Sequence, residues 1–227
     1  MSKPALSARL RLAAAYVRQG AYFADVGTDH AYLPVFLIQE GRIARAVATD
    51  VREGPLAHAA ATVEAAGLTE QVRLLLGDGA APLAPLGVTD VALCGMGGEL
   101  ICRLLDEAPF LRDPRVRLIL QPMSRAHKLR LYLASHGFCQ EDESLCRAGD
   151  KFYTCISAHY TGTPYTERDA EVYLGRSILE RGKAHPDFSA YLTYYIGRLS
   201  ARLAGRRAVG NASPREERLL LDLEALL

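Results

Sequence analysis

The sequence predicts an α/β fold: a doubly wound sheet of five parallel strands, extended by an antiparallel hairpin and followed by a helical appendage. Three observations predict it. Short apolar runs alternate with helical patterns from the start of the chain, the signature of a parallel sheet. The first of these runs leads through Asp25-Val26-Gly27-Thr28-Asp29 into a helix start, as when a doubly wound domain opens its ligand crevice at the carboxyl end of a strand. Two later runs are separated only by Ala148-Gly149-Asp150, a link so short that it joins antiparallel neighbours.

Taken in order, Leu6, Leu10, Ala13, Ala14 and Val17 recur at helical spacing. They make residues 1–20, with Lys3, Arg9, Arg11 and Arg18, a folded amphipathic helix; no continuous apolar core follows the charges, as a targeting peptide would require. Residues 21–25 read as the first strand and 32–40 as the helix after it. Residues 44–49 form a second strand ending in Asp50, and 55–66 a helix closed by Gly67. A third strand, 72–76, ends at Gly77-Asp78-Gly79, and a fourth, 89–94, runs into Gly95-Met96-Gly97-Gly98. A helix over 99–106 leads to a fifth strand, 116–120, ending at Gln121-Pro122-Met123. After a helix over 125–135 come the hairpin strands, 138–147 and 151–160. The sheet domain is thus expected over residues 1–162 and the appendage over 163–227. In the latter, Phe188, Leu192, Tyr195, Leu199 and Leu203 recur at coiled-coil-like spacing, and Ser213-Pro214 with Glu216 and Glu217 opens a last helix.

Composition bounds the function classes. The chain has 227 residues with a formal net charge of +1, so any nucleic-acid partner must be held by a local basic patch. No apolar run reaches membrane-spanning length, and a cytoplasmic protein is expected. The five cysteines, Cys94, Cys102, Cys139, Cys146 and Cys155, form no C-x-x-C pair, so reduced thiols are expected and no zinc or disulfide framework.

The loop after the first strand carries the chemistry. A dinucleotide site wants three glycines, so that backbone can close on a pyrophosphate at a helix N-terminus. Here Gly27 stands alone between Asp25 and Asp29, two carboxylates that would repel a pyrophosphate. They suit a cationic ligand bearing an ammonium group, such as S-adenosylmethionine. On that reading Asp25 and Gly27 take the methionine moiety, and Thr28 is a further cofactor-binding residue. Asp50, about 25 residues further on, accepts from the ribose diol, and Val51 covers an adenine face. Asp78, with Gly79, meets the adenine amino group, and Gly95, Met96 and Gly97 border the point of methyl delivery. Each has a plainer alternative: Asp50 as a helix cap, Asp78-Gly79 as a turn, the glycines after Cys94 as packing devices. Their joint placement at the carboxyl ends of successive strands favours the ligand.

Leu6-Ser7-x-Arg9-Leu10, Asp25-Val26-Gly27-Thr28-Asp29-His30-Ala31-Tyr32-Leu33-Pro34, Gly95-Met96-Gly97-Gly98 and Gln121-Pro122 together resemble the bacterial tRNA (adenine-22-N1)-methyltransferase family. The resemblance spans nearly the whole chain and implies a Rossmann-like class I methyltransferase sheet. It implies methyl transfer from S-adenosylmethionine to N1 of an adenine in the tRNA D-arm, with no metal. Where family members follow Gln-Pro with Asn, this chain has Met123, whose thioether is at most a weak acceptor.

For that chemistry Asp29 and then His30 are the candidates for relieving charge at the exocyclic amine, and Gln121 for reading the adenine edge. Tyr32 walls the cofactor or stacks on the base, with core packing as its alternative. The tRNA contacts expected are Arg9 and Arg11, then Arg125, Lys128 and Arg130, and the stripe Arg198, Arg202 and Arg206, with a solvated helix face as the competing meaning. A monomer or weak homodimer is expected. The alternatives are a methyltransferase for a small molecule or protein, and a non-catalytic S-adenosylmethionine binder; a nicotinamide dehydrogenase fits worst.

Overall fold

The computed structural model describes residues 6–227, so the first five residues of the expected N-terminal helix, Lys3 among them, lie outside it. The chain divides into two compact units between Tyr165 and Thr166.

In the first unit, helix α1 (Ala8–Tyr16) precedes strand β1 (Phe23–Val26), α2 (Tyr32–Gln39), β2 (Ala46–Asp50), α3 (Glu53–Ala65) and β3 (Val72–Leu76). Then follow β4 (Asp90–Gly97), α4 (Gly98–Glu107), β5 (Arg117–Ser124), α5 (Ala126–Ser135) and the hairpin β6 (Phe138–Ala148) and β7 (Lys151–Tyr160). The strands form one sheet in the order β3-β2-β1-β4-β5-β7-β6. β3, β2, β1, β4 and β5 are parallel, while β7 runs antiparallel to both β5 and β6.

Every residue of β1 and β2 is buried, as expected of parallel strands covered on both faces. Alternate side chains go to opposite layers. Ala24 and Val26 of β1 join Leu93, Ile101, Leu105, Leu118 and Leu129 in one core. Phe23 joins Leu6, Ala13, Val17, Leu33 and Leu37 in the other. The expected apolar face of the N-terminal helix is therefore what holds α1 on the sheet, and the Tyr16 hydroxyl adds a hydrogen bond to Asp142 at 2.9 Å.

Two strands run further than their local sequence predicts. β4 continues through Gly95-Met96-Gly97 and β5 through Gln121-Pro122-Met123, both expected to be loops. The register slips around Gly95: Cys94 faces Gln121, but Met96 faces Pro122. Gly95 takes φ +79, and a bulge there lets pairing resume beside a proline that has no N–H to give.

The second unit contains α6 (Asp169–Leu174), α7 (Arg176–Arg181), α8 (Phe188–Ala208) and α9 (Pro214–Glu224). Phe188, Leu192, Leu199 and Leu203 of α8 are buried, as are Leu219 and Leu223 of α9. Tyr195, expected on this seam, is only half buried; the fully buried tyrosine is Tyr191, whose hydroxyl donates to the Leu174 carbonyl at 2.8 Å. Ser213 caps α9 by accepting from the Glu216 amide, with Pro214 in the first turn where no N–H is needed. Among the described residues no helix is long and apolar enough to cross a membrane.

Candidate active site

The sheet order reverses direction at β1, with β2 on one side and β4 on the other, and a crevice opens beyond the carboxyl ends of these strands. The loop from β1 to α2 is fixed by its neighbour. The Thr49 carbonyl of β2 accepts from the amides of Gly27 (2.8 Å) and Thr28 (2.9 Å). The Thr28 hydroxyl donates to Asp25 Oδ2 at 2.6 Å and accepts from the Ala31 amide at 3.1 Å. To make this turn the backbone takes positive φ at Gly27 (+73), Asp29 (+52) and Ala31 (+54). Gly27 does so freely; Ala31 does so at a steric cost, held there by burial against Val35, Ala48 and Ala59. A Cβ on Gly27 would stand 2.5 Å from Met96 Cε, so the glycine also keeps the crevice wall thin beside the methionine.

Two carboxylates sit side by side at the strand ends. Asp25 is 6% exposed, and burial raises its pKa from 3.8 to about 6, against the opposing pull of the Thr28 hydrogen bond and of Arg9. Asp50 is buried to the same degree and accepts from the Arg52 amide through Oδ1 at 2.9 Å. Both line a cavity of about 330 Å³ together with Gly27, Thr28, Gly95 and Arg9. At its mouth stand Asp29, His30 and Tyr32, with His30 Nε2 3.6 Å from Asp29 Oδ2.

The remaining expected site residues divide. Val51 and Asp78 are exposed and do not line this cavity, and Gly79 packs so tightly that a Cβ would approach Leu104 Cδ2 to 2.7 Å. Met96 and Gly97 lie in the bulged end of β4. Gln121 needs correcting. It is fully buried, its Oε1 accepts from Arg9 at 2.8 Å, and its amide donates to the Arg9 carbonyl at 2.6 Å, so no edge is left to read a base. The same contacts turn Arg9 inward to the crevice, away from the surface role expected of it. Arg130 is likewise buried, in a two-point ion pair with Glu143.

Of the other basic residues, Arg11 is exposed and donates to the Leu6 carbonyl, while Arg125 and Lys128 both pair with Glu99. In the second unit Arg198 donates to the Tyr194 hydroxyl, and Arg202 and Arg206 share Glu216. Three of the thiols are quiet: burial pushes Cys94 and Cys155 well above the ordinary cysteine range and Cys102 to about 11. One residue that sequence reasoning missed is His58 on α3, stacked on His30 with ring centroids 5.1 Å apart. Its position early in the helix after Asp50, hence on the crevice side of the sheet, was the available signal.

Residues 6–156 match the model of a methyltransferase-domain family. The tRNA (adenine(22)-N(1))-methyltransferase of Bacillus subtilis strain 168 is 32% identical over 158 residues, 70% of this chain and 66% of that protein. The chain belongs to the tRNA (adenine(22)-N(1))-methyltransferase family. Solved structures extend the likeness to nearly all of this methyltransferase chain. Streptococcus pneumoniae Sp1610 in complex with S-adenosyl-L-methionine superposes with a TM-score of 0.81 at 34% identity, covering 95% of this chain and 100% of that one. The Bacillus subtilis m1A22 tRNA methyltransferase TrmK superposes at 0.80 and 25% identity, covering 97% and 95%. The donor set of the methyltransferase crevice fits a sulfonium nucleoside: a buried carboxylate for an ammonium group, a second for a diol, and two glycines, Gly27 and Gly95, in the cavity wall.

Proposed function

We propose that this chain transfers the methyl group of S-adenosylmethionine to N1 of adenine 22 in tRNA. The observation that carries the reading is the pair Asp25 and Asp50, buried at adjacent strand ends around one cavity, in a chain of this family. Bound there, the cofactor supplies an electrophilic methyl group. Asp25 in its ionised form holds the ammonium, and Asp50 accepts from the ribose hydroxyls with Oδ2, the carboxylate oxygen not used by Arg52. Both contacts are charge-assisted hydrogen bonds to carboxylates that are themselves largely buried, which makes them the strong ones.

N1 of neutral adenine carries an in-plane lone pair, so no base need deprotonate it before attack. Methylation leaves a positive charge that spreads to the exocyclic amine. Catalysis therefore consists of in-line positioning and negative charge near that amine. Asp29 stands at the cavity mouth with its side chain 61% exposed, and His30 beside it is placed to take up or relay the amine proton. Tyr32, stacked on His30 at 5.0 Å and 41% exposed, offers a ring face to a base turned out of its stack. Affinity for the tRNA comes from phosphate contacts made by Arg11, Arg125, Lys128 and the stripe on α8.

The test is methyl transfer from labelled S-adenosylmethionine to unmodified tRNA bearing adenine at position 22, compared with its guanine-substituted twin. Label in the first alone is expected. Label in both, or in neither while the cofactor binds, would overturn the assignment of the target.

A further inference from the structure

Asp29 and His30 leave the β1–α2 loop toward the second turn of α3, where His58 stands. One nitrogen of each histidine and one carboxylate oxygen of Asp29 all lie within 4.8 Å of one another. Among the described residues this is the one group of three or more His, Cys, Asp or Glu side chains gathered so closely. We propose that these three residues form a binding site for a divalent transition-metal ion of the zinc type, and that its occupation holds the methyltransferase inactive.

The chemistry of the donors sets the class of ion. Two imidazole nitrogens and one carboxylate suit zinc, cobalt or nickel, whereas magnesium and calcium prefer oxygen ligands alone. Zinc bonds of ~2.0–2.1 Å to nitrogen and oxygen bring donors to within a little over 3 Å of each other. The Asp29–His30 separation of 3.6 Å is already near that value. The longer approach is made by His58, an exposed side chain in the second turn of α3, whose ring leaves its stack on His30 to turn a lone pair toward the other two. The three residues leave a fourth position open, as zinc sites that take water or substrate do.

Two features preset the site. Positive φ at Asp29 fixes the direction in which its carboxylate leaves the loop. His30 is stacked on Tyr32 with ring planes 11° apart, so one face of its imidazole is confined before any ion arrives. An ion held there takes the lone pairs of Asp29 and His30, the groups given to the exocyclic amine, and ties the loop to α3 across the mouth of the crevice. The inhibitory consequence rests on the proposed methyl transfer; the binding itself does not.

The experiment titrates the full-length chain, stripped with chelator, with zinc, cobalt and magnesium by calorimetry. One zinc per chain is expected and no magnesium. His58→Ala should weaken zinc ~tenfold or more without lowering Tm, because the side chain is exposed and removes one of three ligands. Cobalt should show no sulfur charge-transfer band. Absence of zinc binding, an affinity unchanged in His58→Ala, or a cobalt–thiolate band from the cysteines would each overturn the site. In the transfer assay zinc should inhibit the unaltered chain and chelator should restore it, while His58→Ala, measured against its own metal-free turnover, should resist zinc. Equal inhibition of both proteins would overturn the regulatory half. If no tRNA is methylated under any condition, the functional reading fails while the calorimetry still decides the site.

Discussion

Arg9 and Gln121 clasp each other across 112 positions of sequence: the guanidinium donates to the Gln121 oxygen at 2.8 Å, and the Gln121 amide donates to the Arg9 carbonyl at 2.6 Å. The clasp pins the start of α1 to the end of β5 and holds the Arg9 charge beside the buried carboxyl of Asp25. Gln121→Ala removes both hydrogen bonds of the clasp and leaves the part-buried guanidinium without its carbonyl partner. A loss of about 1–3 kcal/mol is expected, read as a lower Tm in thermal unfolding. Were Gln121 instead reading the base, turnover would fall with Tm intact.

Asp25 makes cofactor binding depend on pH. Its pKa is raised from 3.8 to about 6, so the folded state holds this proton more tightly than the unfolded chain does. Its contribution to stability is therefore fully present below 3.8 and is lost as pH rises through about 6. An ammonium ligand reverses the preference, because it pairs with the ionised form. Affinity for S-adenosylmethionine should therefore rise up to about tenfold per pH unit below the inflection and level off above it. Asp25→Asn should bind weakly and flatten this profile. Calorimetric titration between pH 5 and 8 checks it, and an unchanged slope in the variant would remove Asp25 as the ammonium partner.

Asp29 is expected to act on turnover more than on affinity. Because its backbone sits at φ +52, alanine would add strain to any chemical effect, whereas asparagine tolerates the left-handed region and removes only the charge. Asp29→Asn should lower kcat by roughly 10²-fold. The Kd for S-adenosylmethionine should move by less than about threefold. If Kd and kcat fall together, Asp29 belongs to the cofactor site.

The strand and helix order was legible because parallel strands buried on both faces are short apolar runs, and the tight turn at Gly149 announced the antiparallel hairpin. The strand-end carboxylates were legible for the same reason, since Asp25 and Asp50 are polar at the points where apolar runs stop. What was not legible is set by distant partners. The extension of β4 and β5 depends on a bulge at Gly95 that exists only when the two strands pair. Gln121 looks like a loop amide until α1 is laid over it, and Arg130 looks like a rim cation until β6 supplies Glu143. His58 is an ordinary helix residue until the β1–α2 loop brings His30 to its ring.

Arg198, Arg202 and Arg206 form one stripe along α8. Arg202 and Arg206 approach Glu216 at 3.1 and 2.6 Å, so two positive charges share one negative, while Arg198 leans on the Tyr194 hydroxyl. Such exposed pairs contribute about 0–1 kcal/mol each, so replacing all three arginines by glutamine should barely lower Tm. If the stripe binds tRNA phosphates, the slope of log affinity against log salt should shrink by up to ~0.9 for each phosphate no longer neutralised. Glu216→Gln supplies the opposite sign: it releases Arg202 and Arg206 from their partner and should strengthen tRNA binding at low salt. Filter binding across a salt series measures both. A triple variant with an unchanged slope would make the stripe a solvated helix face, and a Glu216→Gln chain that binds no tighter would show that its arginines do not reach the tRNA.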